Sequence, residues 1–451
     1  MTTIFGRIGA TIGSMALLSL GGVAYAQESA DAVDTSVSGA ATYKAGDGFK
    51  LSDDLIAHPH VELEGGYQNN VFYADDTDSG GERGSPLMRV GVGSSLATSG
   101  SDAEDPKLVL AGDFDLLWNQ YINSSNDITD RSDLGVNANV EAKFNPRGAV
   151  GFTLRDAFTR AVTPPPAEFS DDADRDKNTL MAELAVRPGG GALEIFGRAS
   201  WDVDIFESKT FDFATRNTVL FTAGSKWQWL PKTQLNGDVS FGMVFLNKDA
   251  PRLDNSTETP LRAWVGISTL ITPNFGVILR GGYGNSFQSE AAFNSYLALA
   301  EARYAFDDAM RFAVGYTHDF ADSVIGNYRA EHAFYARFAA MFAGQLQFTV
   351  KAEIHLRDYE GIPDMVGQVT YCNDLACTPG DSSRSDTQFR LQPAVLYQAN
   401  AWLSFGARYT LISNTTDAFV KIDGGGPGGT DLTDSFGYVW NEFMVSAEAK
   451  F

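Results

Sequence analysis

Basic residues are scarce in this 451-residue chain: 34 lysines and arginines stand against 57 aspartates and glutamates, a formal net charge of −23. Phosphate neutralisation needs surplus cation, so this balance excludes nucleic acid as a partner. Cysteine is almost absent. Cys372 and Cys377 fall within one polar stretch, which predicts a local disulfide pinning a loop of an exported protein, because two thiols with no nearby His or second pair do not make a zinc site. Beyond the N-terminus there is no run of about eighteen apolar residues, so no helix is expected to span a bilayer and any insertion must be by strands.

Signatures of chemistry are missing too. Histidine occurs only at positions 58, 60, 318, 332 and 355. His318 and His332 are able to face each other across one hairpin, but their phase places them on an outward face near an interface, where a satisfied pair is expected rather than a catalytic one. The run Gly424 to Gly429 is broken by Pro427 and lacks a following Lys-Ser or Lys-Thr, so it reads as a mobile loop and not a phosphate cradle. No spacing matches a calcium loop. The acidic segments Asp75 to Glu82 and Asp171 to Asp176 read as solvated loops, with divalent-ion bridging to lipopolysaccharide as the functional alternative. No catalytic residue, cofactor or metal is expected.

Arg7, an apolar glycine-punctuated stretch from Ile8 to Val23, and Ala24-Tyr25-Ala26 followed by Gln27 and Glu28 form the three parts of a bacterial secretory signal. Residues 1–26 therefore read as a signal peptide cleaved after Ala26. Residues 27–57, rich in Ser, Ala, Asp and Gly, read as a flexible periplasmic leader without the bulk of a plug. The remainder, 58–451, reads as one architecture.

That remainder is built of segments with period-two alternation. From Gln345 to Arg357, Leu346, Phe348, Val350, Ala352, Ile354 and Leu356 alternate with Gln347, Thr349, Lys351, Glu353, His355 and Arg357. Eighteen such segments begin near His60, Leu87, Lys107, Ser132, Gly148, Asn178, Ala192, Asn217, Thr233, Pro260, Phe275, Ser295, Met310, Tyr328, Gln345, Thr387, Trp402 and Tyr438, with sixteen as the alternative count. Short Pro, Gly, Asn or Asp turns, such as Asn145-Pro146-Arg147 and Thr272-Pro273-Asn274, alternate with long polar connections such as Glu360 to Asp386. A soluble sandwich has no reason to sort loops by parity. Brief periplasmic turns, extended external loops and the closure that lipid demands predict an all-β, antiparallel up-and-down barrel in the outer membrane.

The last strand ends F-M-V-S-A-E-A-K-F, and Phe451 reads as the C-terminal signal for the barrel-assembly machinery. Trp118, Tyr121, Trp227, Trp229, Phe306, Phe320, Phe342, Tyr359, Trp402, Trp440 and Phe451, near strand ends, are expected to form interfacial girdles. The opposite phase points inward. It carries Asn137, Asn139, Glu141, Arg155, Arg198, Asp202, Arg280, Arg303, Arg337, Lys351, Glu353, Arg357, Arg390 and Arg408 as lumen-lining candidates, with Glu62, Glu64, Arg89, Asp113 and Asp115. Barrels of this size leave an aqueous passage unless loops fill it. Trp264 and Tyr335 also point inward, where packing is the first expectation and sugar stacking the second.

The stretch Gly65-Gly66-Tyr67-Gln68-Asn69-Asn70-Val71-Phe72, leading into an acidic loop and then Ser85 to Gly100, resembles the opening of the beta-barrel porin 2 family of Proteobacteria. That resemblance implies an outer-membrane conduit for exopolysaccharide or capsule export, working with a periplasmic polysaccharide-export protein. It carries over no substrate-binding residue. From the residues alone, a diffusion porin or an adhesive surface barrel fits as well.

Overall fold

A computed structural model describes residues 48–52, 55–74, 82–98, 106–161, 174–207, 214–246, 258–289, 291–323, 326–362, 365–366, 369–372, 384–422 and 432–451. Alternating sequence becomes alternating geometry along nearly all of it. The first strands are β1 (Phe49–Ser52), β2 (Leu55–Gln68), β3 (Ser85–Thr98), β4 (Leu108–Tyr121), β5 (Leu134–Phe144) and β6 (Val150–Ala161). Next come β7 (Arg175–Val186), β8 (Leu193–Phe206), β9 (Arg216–Leu230), β10 (Thr233–Leu246), β11 (Leu261–Thr272) and β12 (Phe275–Asn285). Then follow β13 (Asn294–Ala305), β14 (Met310–Asp322), β15 (Tyr328–Phe342), β16 (Leu346–Glu360), β17 (Met365–Val366) and β18 (Val369–Cys372). The last are β19 (Arg384–Gln398), β20 (Leu403–Thr416), β21 (Phe419–Ile422), β22 (Leu432–Ser435) and β23 (Tyr438–Lys450).

Eighteen of these strands, β2 to β16 with β19, β20 and β23, close into one antiparallel barrel, as the eighteen alternating segments lead one to expect. Closure is made by β2, which pairs with β3 on one edge and with β23 on the other, from His60↔Lys450 to Gln68↔Glu442. No barrel edge is left to present unpaired backbone to lipid. Where β23 ends, Phe451 N donates to Pro59 O at 3.0 Å, and β1 takes up the free edge of β2 beyond it, with Phe49 opposite Ala57. Part of the stretch read as a leader is thus a strand, while residues 27–47 and the cleavage site at Ala26 lie outside the described residues.

Outward positions are apolar and open: Val61, Leu63, Phe443 and Val445 are about half exposed on adjoining strands. This lipid-facing belt places the barrel in the outer membrane. Tight turns at the periplasmic end take positive φ, at Asn145 (50°) and at the pair Ala343 and Gly344 (51° and 69°). The sorting of loops is less strict than the sequence implies. The periplasmic link from β3 to β4 spans 99–107, whereas the external link from β14 to β15 spans only 323–327. Two external loops also pair with each other through β18 and β21, in a small sheet with β17 and β22.

A candidate permeation lumen

Inward positions follow from register, and each candidate lining residue meets a polar or aromatic neighbour on its own strand or on another. On β5 and β6, Arg155 donates through Nε to Asn139 at 3.1 Å, Asn139 donates to Asp113 at 3.4 Å, and Thr159 donates to Asn137 at 3.5 Å. Lys143 pairs with Glu141 at 2.7 Å. Arg198 pairs with Glu183 at 2.8 Å, and Asp202 accepts from Thr179 at 2.6 Å. Arg280 pairs with Asp238, and Arg303 with Glu301. The Arg337 guanidinium lies 4.7 Å from the centre of the Tyr335 ring. Glu353 gathers Lys351 at 2.9 Å and Arg390 at 3.8 Å. Arg357 holds Glu331 at 2.6 Å, and Arg408 reaches Glu64 at 3.2 Å.

Exposure is uneven along this wall: Gln234, Asn236 and Arg280 are buried in its periplasmic half. Arg198, Lys351 and Arg408 keep 24%, 36% and 34% of their side-chain surface. Towards the external end the inward side chains are buried. There Arg89 donates to Glu442 at 2.5 Å, to Asn119 at 2.6 Å and to Glu64 at 3.4 Å. Buried charges persist only when paired and hydrogen-bonded, and this cluster meets that condition.

What covers that level is the segment following β2. Asn69 N donates to Asn441 O, and Asn70 Nδ2 donates to Val439 O and to Ala74 O, while Asn70 Oδ1 accepts from Ala74 N. The chain is thereby turned inward. Val71 packs with Leu87, Tyr121, Met444 and Ile128, the last from a one-turn helix at Asn126–Thr129. Tyr73, at φ 55°, lies parallel to Trp440 at 5.9 Å and edge-on to Tyr438 at 5.3 Å. Across the mouth, Phe293 stacks on Phe320 at 4.3 Å in a cluster with Trp264 and Leu297. Sequence reasoning missed Asn70 and Tyr73 as lumen residues. Their signal was the amide pair Asn69-Asn70 directly after a strand, chemistry that caps backbone groups.

Several expected aromatics therefore change role. Trp118, Trp227, Trp229, Phe306, Phe342, Trp402 and Phe451 are exposed on the outer face, whereas Tyr121, Phe320, Tyr359 and Trp440 are buried at the mouth. The reason for Tyr121, Tyr359 and Trp440 is phase: near the external end their register points them at in-turned loops instead of lipid. Trp264 packs, and Tyr335 donates to Glu301. His318 and His332 stack at 4.1 Å on the outer face, with Tyr316 Oη 2.8 Å from His332 Nδ1. Cys372 ends β18; Cys377, with which a disulfide is expected, and the glycine run at 424–429 lie outside the described residues.

A closed eighteen-stranded wall, an apolar exterior and a charged interior define an outer-membrane β-barrel of porin architecture. No family model matches the chain, and no curated protein matches it. Among solved structures, Acinetobacter baumannii OccAB4 is similar at 12% identity over 89% of this chain and 100% of its own, with a TM-score of 0.44. Pseudomonas aeruginosa OccK2 (OpdF) is similar at 11% identity over 90% and 99%, with a TM-score of 0.46. The siderophore receptor PirA of the same organism is similar at 10% identity over 89% and 81%, with a TM-score of 0.41. Likeness of this order is of barrel to barrel and says nothing of what passes.

Proposed function

We propose that the chain is a passive diffusion channel for small hydrophilic solutes. One observation carries the reading: three inward cations, Arg198, Lys351 and Arg408, are paired and yet keep 24%, 36% and 34% of their side-chain surface within the wall. A dry structural barrel would bury them, since charge stripped of water and left partly unpaired is costly. The paired charges Arg89, Arg408, Glu64 and Glu442, under the in-turned segment, are the groups that set the selectivity of this channel. Liposomes carrying the purified protein are expected to swell in small sugars and amino acids, at rates falling with solute size. Liposomes that swell no faster than protein-free ones contradict the proposal.

Polysaccharide export, with a periplasmic export protein as partner, is a second reading that rests on the Gly65 to Phe72 motif. Loss of surface polysaccharide on deletion, with small-solute permeability unchanged, would put it first.

A further inference from the structure

Asp156 sets a carboxylate among apolar neighbours on the outer wall. Asp156 is exposed on the outward face of β6, between Leu154 and Phe158 along its strand and beside Val140 of β5 and Leu180 of β7 across the sheet. Among the described residues its hydrogen-bonding partner is the half-buried Asn178, whose Nδ2 donates to Asp156 Oδ1 at 3.1 Å. Acyl chains offer such a pair no donor or acceptor, and an ionisable group on a barrel's lipid face is disfavoured in a depth-dependent way.

Beside it the wall is hollowed. An apolar trough of about 540 Å³ runs across β6 to β10, floored by Ala182, Gly197, Ala199 and Ala223. Phe152 and Leu184 rim one side and Phe221 and Phe241 the other. The register Asp156↔Leu180 and Leu154↔Ala182 sets the polar pair at the trough's external end. Small residues that let backbones approach, combined with polar groups that bond across the contact, are how membrane segments associate.

We propose that this face of β6 to β10 is the contact between copies of this chain in the membrane. A second copy is the occupant that supplies what lipid lacks. The Asp156–Asn178 pair presents both an acceptor and a donor, so the same pair on a neighbour complements it.

A photo-crosslinking amino acid placed at Leu180 in intact outer membranes is expected to give a band at twice the chain mass or a higher multiple. In mild detergent, wild-type protein is expected to elute as an oligomer. Gly197→Phe fills the trough, and a Cβ added there meets no atom within 4 Å, so the barrel itself is undisturbed. Gly197→Phe and Asp156→Leu are each expected to lower the crosslinked fraction at least tenfold while leaving the heat-modifiable folded band unchanged. Crosslinks to lipid alone, no crosslink, or crosslinking equal in both variants would overturn the proposal.

Discussion

Single side chains carry unequal weight in this wall, and Arg89 carries much of it. Its guanidinium serves Glu442, Glu64 and Asn119 in a site where it is 7% exposed. Removing one partner from a buried ionic cluster leaves the others uncompensated, at a cost of about 3–5 kcal/mol. Arg89→Ala is therefore expected to destabilise the barrel by that order in urea unfolding, and the double variant with Glu442→Gln to recover part of the loss. At the external rim, Asp133 precedes β5 and accepts from Arg160 at 2.7 Å. That hydrogen bond holds its carboxyl below the ordinary carboxylate value. A lowered folded value stabilises above the unfolded one, near about pH 4, and the contribution is lost as pH falls through the folded value. The difference in melting temperature between wild type and Asp133→Asn should be steady at neutral pH and close below pH of about 4; a difference that persists there contradicts this role.

Elements show where sequence reading reached and where it stopped. Strand starts were legible to within about five residues because lipid on one side and water on the other impose period two on each strand separately. The segment Asn69 to Tyr73 was not legible as a constriction, because its inward turn depends on carbonyls of Val439 and Asn441 far along the chain. The same holds for Tyr121, Tyr359 and Trp440, where facing lipid or lumen is decided by what folds against the rim. Alternation along β16 and β20 was legible, whereas the partners of Arg357 and Arg408, Glu331 on β15 and Glu64 on β2, were not, since pairing needs the register of other strands. Two outcomes belong to this scale. Tyr73→Ala should raise single-channel conductance by removing the ring stacked on Trp440, at a stability cost on the order of 3 kcal/mol. Deleting Phe451, which stacks on Trp402 at 6.1 Å and bonds Pro59 through its backbone, should reduce the folded band after refolding into lipid; an undiminished band contradicts a closing role for this residue.

The whole molecule resolves a contradiction of solvents. A chain with net charge −23 lives in hydrocarbon because it turns its charges inward or to the rims and its apolar phase outward, and closure between β2 and β23 leaves no backbone edge to pay for. The proposed channel function makes ion conduction its central test. Purified protein in a planar lipid bilayer, with no partner added, tests this most directly. Stepwise ion conductance whose reversal potential in a salt gradient shifts in Arg408→Ala is the predicted result. A bilayer that stays silent with correctly folded protein inserted would contradict it.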